Sequence, residues 1–263
     1  MSLAQEIDTN FWSNPPWGKG EKKYRLGLKP IEKSSWFDSK ISEKLHSFKI
    51  KSFNHRYSDV IAVTEDSIES QQLLAQDITP ASNAFPDLIA NISLAVPDDI
   101  CIIKSSDDQE LLAGSVCSPS YWNLKEKIGL PLRKIHSPVK SLNQKIGNPI
   151  ERFIKNMPMD IPFKRENWFI HEDESRFHNK SESFLSSDIS SCYIRSERET
   201  ILKFSPDYAV FSINVRFKSM KSLIKYREVS EALLKSLDMM DNDEIKYFGG
   251  PVKVKRIQRF LSS

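Results

Sequence analysis

Apolar positions change their period part-way along this chain. Ile41, Leu45 and Phe48 recur at helical spacing and predict a short helix from Asp38 to Phe48. Thr64 ahead of Glu65 and Asp66 is an acidic helix start, with the helix running to about Ile78. Pro86 suits the first turn of a helix through Ala95, whose buried face is Leu88, Ile89, Ile92 and Ala95. From Cys101 onward the pattern shortens. CIIK (101–104) and the stretch from Leu111 to Cys117 predict two strands around the turn material of Ser105 to Gln109, a candidate hairpin. Ser118-Pro119 then predicts a helix start and Gly129 its end. Asn148-Pro149 opens a further helix with Ile150, Phe153, Ile154 and Met157 on one side. Strands follow from Asn167 to His171, Tyr193 to Phe204 and Tyr208 to Phe217. In the last, Ala209, Phe211, Ile213, Val215 and Phe217 share one side, and Val210, Ser212, Asn214 and Arg216 the other. Tyr226, Val229, Leu233 and Leu237 mark a final amphipathic helix. The tail from Lys246 carries Gly249-Gly250-Pro251 and several cations.

This order, helices before and after an antiparallel sheet of about five strands, predicts an α+β domain. Prolines and glycines interrupt residues 1–35, yet Phe11, Trp12, Trp17, Tyr24 and Leu28 are too apolar for a disordered tail. They predict an extended arm lying on a single domain of residues 36–263, either as packing alone or as cover for a ligand or partner surface. The polar, serine-rich stretch 172–191 reads as a surface loop.

Composition narrows the function. The 263 residues are 39% hydrophobic and 28% charged, as in ordinary globular proteins. A net charge of +3, with acids among the cations, gives no basic stripe for nucleic acid. No apolar run approaches the roughly 20 residues that span a bilayer, and the first residues do not form a secretory signal. Three widely spaced cysteines, at 101, 117 and 192, predict neither a disulfide scaffold nor a cysteine-rich metal site, so a cytoplasmic location is expected. The chain lacks GxGxxG, GxxxxGK[ST], CxxC and GxSxG, the loops that hold dinucleotides, nucleotide phosphates, metal clusters or an esterase nucleophile.

Five histidines remain, at 46, 55, 136, 171 and 178, none with HxH or HxxxH spacing. That pattern disfavours a multi-histidine metal centre but allows one axial ligand to a haem iron. His136 is the best placed, beside Ile135 and stiffened by Pro131 and Pro138, with His171 the runner-up. A loop histidine bonded to backbone is the plainer alternative. Arg165, Arg195 and Arg198 suit paired carboxylates such as haem propionates, or an Arg–Glu ladder across the sheet. On a strand, Arg195 and Glu197 share one side and Arg198 and Thr200 the other. Trp122 and Trp168 are candidate pocket walls, or core.

Several motifs stand in one order: LLAGSVCSPSYW (111–122), EKIG (126–129), IHSPV (135–139), RENW (165–168) and RSERETIL (195–202), after an opening RLGLKPIEKSSWFDSK (25–40). Together they resemble the α-subunit-like family of haem-dependent oxidative N-demethylases, from about Arg25 to Lys218. The resemblance implies a PAS-like fold holding haem b. It implies that O2 is used to remove a methyl group from a small secondary amine, such as dimethylamine. The electrons would come from partner subunits that carry flavin (FMN) and an iron–sulfur centre. It makes His136 the axial ligand to the metal, and Arg165, Arg195, Arg198, Trp122 and Trp168 cofactor contacts. The chain departs from the family pattern at Lys140, where proline is usual, and at Glu199, where glutamine is usual. A haem- or small-molecule-binding PAS module without turnover, acting as sensor or carrier, is the alternative, and a member that has lost haem is a third.

Overall fold

The computed structural model describes residues 11–262 apart from 107, 139–142, 181–183, 185 and 187. The first ten residues of the arm, Val139 of the IHSPV stretch and the following Lys140 lie outside the described residues.

One antiparallel sheet forms the centre. Its strands are β1 (Lys29–Pro30), β2 (Ile61–Val63), β3 (Asp99–Lys104), β4 (Leu111–Ser115), β5 (Phe163–His171), β6 (Tyr193–Lys203) and β7 (Tyr208–Ser219). They lie in the order β1-β5-β6-β7-β3-β4-β2. The α+β class and the antiparallel sheet match the sequence pattern, but the strand number is seven among the described residues, not about five. The two extra strands are edge pieces of two and three residues, held by register with β5 and β4. Runs that short carry no readable alternation.

The helices are α1 (Glu43–Val60), α2 (Ile68–Asp77), α3 (Leu88–Ser93), α4 (Leu132–Ile135), α5 (Asn148–Asn156), α6 (Met220–Leu223), α7 (Arg227–Asp238), α8 (Asn242–Tyr247) and α9 (Pro251–Ser262). The first is longer than its apolar spacing predicts, and it contains a kink at Arg56. The helix expected after Ser118-Pro119 does not form. The Asp99 carboxylate accepts from the amides of Cys117 (3.0 Å) and Ser118 (2.7 Å), and Ser120 bridges to His178, so the segment is held out of a helix. Only a 3-10 turn at Leu124–Glu126 remains. The cationic tail is helical: α8 opens with a capping box between Asp241 and Glu244, and Pro251 sits in the first turn of α9.

Alternation along the strands sorts the core. Ile102, Leu202 and Val210 pack with Phe53, Leu74 and Ile89 under the N-terminal helices. Their neighbours Ile103, Ile201 and Ala209 face the other way, toward Leu124, Ile154 and Met157. A third cluster joins Trp12, Trp17 and Trp168 to Leu233, Phe248 and Ile257 of the C-terminal helices. Both sides of β6 are therefore covered, and its burial does not alternate. From Phe11 on, the arm is part of this packing. Trp17 is 1% exposed and its Nε1 donates to the Val229 carbonyl at 2.9 Å.

Trp17→Ala should therefore lower unfolding free energy by about 3–5 kcal/mol in urea denaturation. A loss under about 1 kcal/mol would mean that the arm is not part of the core.

Candidate functional site

The side of the sheet that carries Arg195, Glu197 and Glu199 on β6 and Arg165, Asn167 and Phe169 on β5 gathers a network of buried charges. Cross-strand register sets Arg165 opposite Glu199, Asn167 opposite Glu197 and Phe169 opposite Arg195. Arg195, Glu197 and Glu199 are 1%, 6% and 4% exposed. Charges so deeply placed need partners, and each has one. Arg165 Nε pairs with Glu199, and Arg195 Nε donates to Glu197 at 2.7 Å. The Asn167 amide joins the two, donating to Glu197 at 2.9 Å and to Glu199 at 3.2 Å. Arg195 also donates from Nη2 to the Ser118 carbonyl at 2.5 Å, which ties the 117–122 segment to the sheet. Its Nη1 is buried without a hydrogen-bond partner.

His136 stands over the Arg165 end of this face. The four-residue helix α4 packs Leu132 and Ile135 onto the Ile103–Ile201 cluster. Arg133 Nη2 anchors α4 to Glu151 of α5 at 2.7 Å. The His136 amide closes the helix on the Leu132 carbonyl at 2.9 Å. The imidazole is half-buried, and burial is the main cause that pushes its pKa down to about 4, with Arg165 and Lys127 adding to it. It is neutral at physiological pH and keeps a lone pair for a metal.

The sequence candidates do not all share this place. Arg165 lies beside His136, and Arg195 lies further along the same side of the sheet. Trp122 packs partly buried against the cluster that also receives Ile135. Arg198 projects from the opposite side, as the alternation predicts, and donates to the carbonyls of Trp36 (2.9 Å) and Ser35 (2.6 Å). Trp168 lies in the third cluster, edge-on to Trp17 and Phe248. His171 is fully buried, with Nε2 3.1 Å from the Ser120 hydroxyl and rings of Tyr121 and His178 at 4.8 and 4.9 Å. Burial first, and Arg195 next, press its pKa down to about 2. The three cysteines are buried and free, and burial raises each thiol, Cys101 to about 12.

Sequence reasoning missed Lys23. Its ammonium donates to Asn167 Oδ1 at 2.7 Å and to the Trp168 carbonyl, and it stands 3.8 Å from the Phe169 ring centroid. No local pattern could reveal a partner about 145 residues away in the chain.

Among the described residues no three His, Cys, Asp or Glu side chains converge as a metal site, and no helix is long and apolar enough to cross a membrane. What this face offers is one neutral imidazole with Lys127 and Arg165 around it, and a buried guanidinium nitrogen to spare. That donor set fits an anionic prosthetic group whose iron takes a single protein ligand.

Residues 39–257 match the family described as haem-dependent oxidative N-demethylase, alpha subunit-like. The chain belongs to that family. No curated protein matches it significantly.

The His136 ring should titrate near pH 4 by NMR, and replacing Arg165 and Glu199 together by glutamine should move that value upward, since it removes a cation without leaving a buried charge unpaired. The unfolded imidazole takes its proton near the usual value of about 6.5. The unfolded state therefore binds more protons between that pH and about 4, and this histidine's contribution to stability is lost as pH falls through the window. A ring that titrates near 6.5 in the folded protein would contradict the buried setting.

Proposed function

We propose that this protein is the haem-carrying oxygenase component of an oxidative N-demethylase system. In it, His136 is the axial ligand of haem b and dimethylamine or a similar small methylamine is the substrate. The observation that carries the proposal is an isolated, half-buried imidazole that feels the charges of Arg165 and Lys127, in a member of this family. The PAS-like reading of the domain, residues 36–263 with the arm of 1–35 laid on it, draws support from the five longer strands. These lie together in the order β5-β6-β7-β3-β4.

Haem, when bound, supplies reductive activation of O2. The reaction balances as dimethylamine, O2, two electrons and two protons giving methylamine, formaldehyde and water. The methyl carbon is hydroxylated, and the carbinolamine breaks its C–N bond to release formaldehyde. The chain has no dinucleotide loop or CxxC pair of its own. Partner subunits bearing flavin and an iron–sulfur centre would therefore deliver the electrons, as the α-subunit-like description of the family suggests.

This chain's residues bind and orient. His136 is held in one position by α4 and stays unprotonated. Arg165 and the spare Nη1 of Arg195 would receive the negative charge of the group, such as its propionates. Trp122 would lie against the group from the Ile103–Ile201 cluster. Arg198 acts from the other side of the sheet, by fixing the strand position of Glu199, and Trp168 packs in the third cluster beside Asn167. Glu197 and Glu199 lend negative potential that favours an ammonium substrate.

Haem titration should give a Soret band, and His136→Ala should shift it and weaken haem binding at least ~10-fold. An unchanged spectrum would remove His136 from the ligand role. With haem, a reductase, O2 and dimethylamine, formaldehyde should form. A haem-bound protein that yields none from any small methylamine is a carrier or sensor instead.

A further inference from the structure

We propose that the rings of Trp168, Phe169 and Phe248, with the Asn167 side-chain oxygen, form a binding site for a small alkylammonium ion, and that the Lys23 ammonium occupies it in the resting protein. Its identification as the substrate site rests on the function proposed above; the site itself rests on geometry.

The Lys23 nitrogen stands 3.8 Å from the Phe169 ring centroid, 4.8 Å from Trp168, 5.1 Å from Tyr24 and 5.9 Å from Phe248. All four lie within the roughly 6 Å range of cation–π attraction. Two oxygens complete the site, Asn167 Oδ1 at 2.7 Å and the Trp168 carbonyl. The Asn167 amide nitrogen is spent on Glu197 and Glu199, so its oxygen is the atom turned toward the cation. Rings plus a fixed amide oxygen, with carboxylates behind, are what a small methylated ammonium needs: apolar contact for its methyls, acceptors for its N–H groups and negative potential for its charge.

Two facts tie the site to the chemistry. Asn167 and Arg165 are two residues apart on one strand and on the same side, a spacing of ~7 Å, and Arg165 is the cation beside His136. Lys23 lies in the arm, outside the matched residues 39–257, while Asn167, Trp168, Phe169 and Phe248 lie within them. The occupant is thus a tethered stand-in that a free ammonium must displace. The charges around it are Glu197 and Glu199 on β6, Arg165 on β5 and Lys253 on α9, and burial outweighs them to bring the Lys23 pKa down to about 7. Above that pH Lys23 sheds its charge while a dialkylammonium retains its own, so displacement becomes easier as pH rises.

The test uses the full chain without haem, carrying 13C at lysine Cε, with the Lys23 signal identified by its loss in Lys23→Arg. That signal should be shifted by the rings. Dimethylammonium chloride should return it saturably toward the other lysines, where sodium chloride of equal ionic strength does not. By calorimetry, Lys23→Ala should bind dimethylammonium at least ~10-fold more tightly than the parent, because self-competition is removed. Adding Phe169→Leu, which keeps bulk but no ring, should abolish the gain. A Lys23 signal that does not move overturns the proposal, as does a folded Lys23→Ala protein with no gain. Haem binding and formaldehyde formation without displacement reject the cation site alone. Displacement in a protein that takes no haem keeps the site and rejects the oxygenase function.

Discussion

The pairing of buried charges along β6 is the constraint on which this structure depends. Arg195, Glu197 and Glu199 sit on one side of a central strand with almost no exposure. Left unpaired, any of them would cost several kcal/mol. Each pairing reaches a different part of the chain. Arg195 fixes the segment after β4 through the Ser118 carbonyl. Glu199 holds Arg165 on β5, and Asn167 couples the two carboxylates. The same network fixes the electrostatics above the sheet: a cation beside His136, and carboxylate charge a strand-repeat further on, where Lys23 is seated.

The network explains why this face keeps buried charges without collapsing into ordinary core. The other side of the sheet buries Ile100, Ile102, Leu202 and Val210 under α1 to α3 and makes no polar demand at those positions. One charged residue of β6 points that way, and Arg198 meets the demand by donating to the Ser35 and Trp36 carbonyls, which clamps the end of the arm. The charge network and the clamp on the arm are divided between the two sides of one strand, RSERET, by the two-residue period alone.

Much of the fold was legible because long elements repeat their signal. The hairpin of β3 and β4, the helix behind Asn148-Pro149 and the alternation of β7 needed only periodicity and turn residues. Short edge strands and α8 escaped because they offer too few positions to show a period. The failure at Ser118-Pro119 has a different cause. Its cap-like residues are real, but the Asp99 carboxylate takes the two amides, and a side chain nearly twenty positions away overrides local preference.

The sequence by itself determined the α+β class, the isolated histidine with prolines on either side, the opposed directions of Arg195 and Arg198, and the ordered motifs of the family. Each is a local property, set by residue type and spacing. Only the tertiary structure decided that Arg165 stands beside His136 while Trp168 turns to the C-terminal core, and that Lys23 sits among rings from β5 and the C-terminal helices. These depend on strand register and on burial. Register brings residues 30 or more positions apart to hydrogen-bond distance, and burial moves the His136 and Lys23 pKa values by removing water that no sequence pattern can count.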